Sequence, residues 1–348
     1  MRRVTTLAAA LLAGSLVLTA CGGEDDTKTT PKADTGTEAE SEIKVGLAYD
    51  IGGRGDQSFN DAAAAGLDRA AEEFGVETKE AEAGTGEPES AKEERLRALA
   101  SAGFNPVIAV GFAYSASVAK VAKELPDTQF AIVDDAAAEG DNIANLLFAE
   151  EQGSFLVGAA AALKSEAGNV GFVGGVDVPL IHKFEAGYIA GAKEVNPDIE
   201  VQSKYLTQPP DFSGFGDPAK GKTAAAGMFD NGADVVYQAA GGSGGGVFEA
   251  AKDAGGFAIG VDSDQYKTAD PAVRDVIITS MLKKVDVAVY DFIKSVTDGN
   301  FTAGPITYDL EKDGVGYSTS GGKIDDIVDK LEGYKEQIIS GEITVPTE

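Results

Sequence analysis

The chain has 348 residues, with 57 acidic against 29 basic side chains and a formal charge of −28. Binding a nucleic-acid backbone needs clustered Lys and Arg, so this balance excludes nucleic acid as a partner and implies only a soluble, self-repelling, monomeric body. The length exceeds what one hydrophobic core usually serves, so two lobes are expected; one His and one Cys leave no His-clustered metal site, no Ser/His or Cys/His nucleophile and no disulfide framework.

Arg2 and Arg3 precede an apolar run from Val4 to Ala20, close to a signal-peptide core in length and shorter than a comfortable membrane span. The run ends Leu18-Thr19-Ala20-Cys21, which looks like a bacterial lipobox. Residues 1–21 are therefore expected to be a lipoprotein signal peptide, with the Cys21 thiol taking a diacylglyceryl group. Residues 22–42 are rich in Thr, Asp, Glu, Lys, Gly and Ala without apolar periodicity, and are expected to form a flexible tether. A tether on a lipid anchor implies an exported body on the extracytoplasmic side of the cell membrane.

From Ile43 onward, short apolar runs alternate with amphipathic stretches of about fifteen residues. Ile43–Tyr49 reads as a strand, and Ser58 can cap a helix with Leu67, Ala70, Ala71 and Phe74 on one face before Gly75 stops it. Strands are predicted at Val76–Ala81, Pro106–Val110 and Gln129–Val133, with helices at Glu89–Ser101 and Ser115–Glu124 between them. The pattern then repeats. Strands are predicted at Ile143–Phe148, Val170–Val173, Ile199–Tyr205, Asp234–Gln238 and Ala258–Val261. Helices are predicted at Gln152–Ser165, Ile181–Val195, Pro218–Asn231 and Val247–Ala254.

This βα alternation predicts an α/β protein of two doubly wound, parallel-sheet lobes. The ending, Val276–Met281, Lys283–Asp298, Ile306–Leu310 and Asp325–Ile339, is too short for a third domain and returns to complete the two lobes. The expected division is 43–148 plus 282–303 for the first lobe and 149–281 plus 304–348 for the second. The chain would then cross a hinge near Phe148, Met281 and Gly304, an architecture that closes around a ligand.

Ligands of open α/β sheets bind beyond the carboxyl ends of the strands. The residues following the predicted strands are Asp50, Gly111-Phe112, Asp134-Asp135, Gly174-Gly175, Gly241-Gly242 and Asp262. Carboxylates there can accept hydrogen bonds from ligand hydroxyl or N–H groups, and glycines admit a ligand to the backbone. In the segment Asp50–Asn60, DIGGRGDQSFN, Phe59 can stack on a planar ligand while Asn60 bonds its edge, the alternative being that Phe59 is a hydrophobic staple for the helix. Gly216–Thr223, GDPAKGKT, matches a P-loop literally. Asp217 and Pro218 put charge and a missing N–H where a phosphate cradle needs donors, and no strand leads directly into it, so it is read as a decoy. His182 is read as a surface or packing residue. No residue spacing argues for catalysis, and no cofactor is implied.

At these residues the sequence closely resembles the basic membrane protein family of lipoproteins, nucleoside-binding components of ABC transporters. The resemblance rests on DIGGRGDQSFNDAAAAG at Asp50–Gly66, FAIVDD at Phe130–Asp135, FGDPAKGKTAA at Phe215–Ala225, IGVDSDQ at Ile259–Gln265 and TSMLKKVDVAVY at Thr279–Tyr290. It implies a type I periplasmic-binding-protein fold, no catalysis, a nucleoside ligand, best guess a purine, and a transporter permease as partner. It also implies that Phe59 and Phe215 sandwich the base, with Asp50, Asn60 and Asp134 on its polar edge and Gly242, Asp262 and Lys283 on the ribose hydroxyls. Phe212, three residues before Phe215, competes for the second stacking position. A sugar receptor of the same fold, a ligand sensor for a signalling receptor and a nucleoside hydrolase are the alternatives; the absence of Trp argues against the first.

Overall fold

The computed structural model describes residues 43–84 and 86–348. The signal peptide, the lipidation site Cys21 and the tether lie outside the described residues. In chain order the first half runs β1 (Lys44–Ala48), α1 (Phe59–Phe74), β2 (Glu77–Ala81), α2 (Glu89–Ser101), β3 (Val107–Ala109), α3 (Ser115–Glu124), β4 (Phe130–Val133) and β5 (Ile143–Phe148). Next come α4 (Glu150–Lys164), β6 (Asn169–Val176), α5 (Pro179–Val195), β7 (Glu200–Thr207), α6 (Pro218–Asp230), β8 (Val235–Ala239), α7 (Gly244–Ala254), β9 (Phe257–Asp262) and α8 (Gln265–Thr268). The chain ends with β10 (Ile277–Lys283), α9 (Val285–Thr297), β11 (Gly304–Tyr308), β12 (Val315–Tyr317) and α10 (Val328–Ile339).

The strands form two six-stranded sheets, ordered β11-β5-β4-β3-β1-β2 and β12-β10-β9-β8-β6-β7. All pairings are parallel except β10 with β12. The two orders are the same pattern used twice, so β1 corresponds to β6, β3 to β8, β4 to β9 and β5 to β10. In each sheet the order reverses beside the first strand, between β1 and β3 and between β6 and β8, which opens a crevice at the carboxyl edge. The central strands carry the continuous apolar runs that two covered faces require: β4 is buried at every residue, and so is β6. Edge strand β2, ETKEA, is exposed over four of its five residues, as its charges demand.

The lobe division differs from the sequence expectation at two places, one of them Leu282–Lys283, expected in the first lobe but closing β10 in the second sheet through Leu282↔Asp262 and Lys283↔Val315. Gly304–Tyr308, expected in the second lobe, pairs parallel with β5 from Gly304↔Ala144 to Tyr308↔Phe148 and extends the first sheet. The third crossing therefore runs from Tyr308 to Val315, where β12 adds antiparallel to β10. An edge strand of alternating exposure fits either sheet on sequence grounds, and here the bond partners of β5 decide. The other two crossings leave β5 for α4 and β10 for α9, and all three are stitched together: Ala149 N donates to Tyr308 O, Lys284 N to Gly314 O, and Leu310 N to Gln152 Oε1.

Candidate functional site

The carboxyl edges of the two sheets face one cavity of about 70 Å³. The first lobe contributes Asp50, Phe59, Asn60, Phe112 and Asp134; the second contributes Phe184, Phe215, Asp262 and Lys283. Seven of the eight residues expected from the sequence thus line one space. The eighth, Gly242, does not: its neighbour Gly241 lines the cavity instead. A glycine run gives no sequence signal for which member turns inward, because the choice depends on where the preceding strand stops.

Asp50 follows β1, and its Oδ1 accepts the Ile51 N–H at 2.7 Å. Gly111, at φ +100, has no side chain because a Cβ would stand 2.6 Å from Asp50 Oδ2. Burial raises the Asp50 carboxyl to about 6, against the opposing pull of the Ile51 N–H and of Lys92.

The Asp50–Asn60 loop is built by side chains turned onto the backbone. Asn60 Oδ1 accepts Asp50 N–H at 3.1 Å, and its Nδ2 donates to Asp56 Oδ2 at 3.1 Å and to Ile51 O at 3.4 Å. The Asn60 amide, expected on the ligand edge, lines the cavity and also braces the loop. Asp56 caps the start of α1 by accepting the N–H groups of Ser58, Asn60 and Asp61. Ser58, expected to be that cap, instead donates its hydroxyl across the cleft to Asp262 Oδ2 at 2.6 Å. Two more bonds join the lobes beside it, Ser263 Oγ to Gln57 O at 3.0 Å and Gln265 Nε2 to the same carbonyl at 3.1 Å.

Asp134 and Asp262 end equivalent strands, and both have a left-handed backbone, φ +65 and +63. Such conformations are uncommon outside glycine and cluster where a site over-determines the chain. Asp134 Oδ2 accepts from Lys283 Nζ at 2.5 Å, while its Oδ1 is buried without a hydrogen-bond partner among the described residues. Burial pushes the Asp134 carboxyl up to about 7; Lys283 lowers it, and Glu150 and Asp262 raise it. Burial also raises Asp262, opposed by Lys283 and by the Ser58 hydroxyl. For Lys283, burial favours loss of the proton, but Asp134, Glu150 and Asp262 outweigh it and hold the ammonium above its ordinary range.

The rings of Phe59, Phe148 and Phe184 stand 5.3, 5.0 and 5.4 Å from the Lys283 ammonium. Phe215 lines the cavity and Phe212 does not; Phe112 meets Phe212 edge-on at 5.9 Å and Phe215 at 6.5 Å. Gly175 admits the Phe215 ring, since a Cβ there would lie 2.4 Å from Cδ1. Sequence reasoning missed Asp56 and Phe184 in the lining. Phe184 sits on the apolar face of α5, where nothing distinguishes a cavity residue from a core residue. Among the described residues, no group of His, Cys, Asp and Glu could hold a metal ion.

Two α/β lobes on a three-stranded hinge, closed over a buried cleft of rings and carboxylates, define a solute-binding protein of the periplasmic-binding-protein fold. The model of the Bmp family, described as ABC transporter substrate-binding protein PnrA-like, matches residues 43–348, and the chain belongs to that family. It is 34% identical over 99% of its length to the ABC transporter nucleoside-binding protein BmpA of Lactococcus lactis, with 99% of that protein covered. It is 36% identical to an uncharacterized lipoprotein of Pyrococcus abyssi, covering 88% of this chain and 74% of that one. A crystal structure of an ABC transporter solute-binding protein from Aeropyrum pernix superposes with a TM-score of 0.76 at 33% identity, covering 88% of this chain and 94% of the other.

Proposed function

We propose that this protein is the lipid-anchored, extracytoplasmic receptor of an ABC transporter and captures a nucleoside between its lobes. The observation that supports the reading is the pairing of two rings, Phe59 and Phe215, with Asp134, whose buried Oδ1 meets no hydrogen-bond donor among the described residues. A buried acceptor left unpaired costs about 1–3 kcal/mol, so a ligand N–H or hydroxyl that meets it recovers that penalty and one without such a donor does not. A base between the rings gains stacking and apolar burial. Asp50 and Asp134 then serve its polar edge, while Asp262 and Lys283 serve the ribose.

The cavity's four lining carboxylates, Asp50, Asp56, Asp134 and Asp262, face a single lining cation, Lys283, which favours a neutral nucleoside over a phosphorylated one. Cys21 supplies the anchor, residues 22–42 the tether, and the closed monomeric body is what the permease receives. Membership of a substrate-binding family supports release of the bound nucleoside unchanged.

Calorimetric titration of protein stripped of carried-over ligand, against adenosine, guanosine, inosine, cytidine, uridine and ribose, tests the reading. One-to-one binding of a nucleoside but not of ribose is the expected result. Binding of ribose or another sugar alone overturns the ligand class, and free base appearing after incubation with inosine overturns the non-enzymatic reading.

A further inference from the structure

The buried charge cluster has one member that does not line the cavity. Glu150 opens α4, immediately after the chain leaves the first sheet, and its side chain is 1% exposed, as is that of Lys283. Its Oε1 lies 3.1 Å from Lys283 Nζ, and its Oε2 lies 3.3 Å from Lys183 Nζ on α5. Lys283 is the last residue of β10, at another crossing, and reaches Asp134 at the end of β4. One carboxylate thus ties two hinge crossings to the helix whose Leu180, Ile181 and Phe184 wall the cavity.

We infer that Glu150 is a positioning residue for ligand capture: it fixes Lys283 on the cavity floor, so that Asp134 is held by one oxygen and offers the other. A buried ammonium with one carboxylate partner can turn towards it fully; two partners on separate elements fix its place. The charged groups facing Asp134 are Lys283 from β10, Glu150 from α4 and Asp262 from β9. Glu150 and Asp262 both work to keep the Asp134 proton on, and Lys283 works against them. Replacing Glu150 by the uncharged, similarly shaped Gln therefore makes Asp134 ionise more readily, which loss of packing alone does not do. The binding readout rests on the nucleoside reading; the titration does not.

The test is the carboxyl ¹³C titration of Asp134 in ligand-free protein, assigned by its disappearance in Asp134→Asn, for the parent, Glu150→Gln and Glu150→Asp. Inosine affinity is measured on the same samples. In Glu150→Gln the Asp134 midpoint is expected to fall by about one pH unit and inosine affinity about tenfold. In Glu150→Asp, which keeps the charge but shortens the reach, the midpoint stays near the parent's while affinity falls several-fold. An unmoved midpoint in a folded Glu150→Gln protein overturns the inference. If that variant does not fold, parent-like affinity in Glu150→Asp overturns it. A parent that binds no nucleoside overturns the proposed function instead, and a moved midpoint then still supports the hold of Glu150 on the Lys283–Asp134 pair.

Discussion

Asp134 and Asp262 occupy the same position in the two lobes, one at the end of β4 and the other at the end of β9, with the same left-handed backbone at φ +65 and +63. Each lobe thus presents one strained carboxylate to the shared cavity. Asp134 is tied to Lys283 and Asp262 to Ser58, so both also link the lobes to each other.

Replacing Asp262 separates its two roles. Asp262→Asn keeps a residue that tolerates the left-handed region, so melting stays close to the parent's while nucleoside affinity drops by about ten- to a hundredfold. Asp262→Ala adds a backbone penalty of about 1 kcal/mol, which appears as a lower melting temperature beyond that of the Asn variant. Thermal melts and calorimetry on the pair check both statements, and equal affinity in all three proteins removes Asp262 from the site.

Asn60 is expected to act through the loop it braces. Asn60→Ala leaves the Asp50 N–H without its acceptor and removes one of the two donors to Asp56 Oδ2, destabilising the protein by about 1–3 kcal/mol. All nucleosides then weaken by a common factor. A change in base preference without a change in melting shows direct contact instead.

Gly175 reports on Phe215 without touching the ring chemically. A Cβ at 2.4 Å forces the ring to move, so Gly175→Ala is expected to weaken every nucleoside by about tenfold, close to the effect of Phe215→Ala. Titrations with inosine and uridine on the two variants make the comparison; parent-like affinity in Gly175→Ala places the base elsewhere.

The raised carboxyls give the ligand-free protein a distinctive pH response. Asp50 and Asp134 hold their protons to about 6 and about 7 when folded, against 3.8 ordinarily, so the native state binds more protons than the unfolded state between those values. Their contribution to stability is therefore fully present below about pH 4 and is lost as pH rises through about 7. Melting temperature is expected to fall from about pH 5 to 7.5, and Asp134→Asn to flatten part of that slope. A ligand donating to ionised Asp134 binds more tightly as pH rises through the same window.

The alternation of apolar strands with amphipathic helices determined the α/β class and the elements that carry the site, because period-two and period-3.6 burial is written locally. It also marked the strand ends, so Asp50, Asp134 and Asp262 were legible before any pairing was known. Lys283 and Phe215 came from likeness to a family. Phe184 could not be read, since a cavity wall and a core face have the same composition. The lobe that receives Gly304–Tyr308, the turn of Gly241 rather than Gly242 into the cavity, the bracing of its own loop by the Asn60 amide and the place of Glu150 behind Lys283 were decided by tertiary structure. Each depends on a partner far away in the chain, and a hydrogen bond or ion pair between distant residues leaves no periodic trace in either segment.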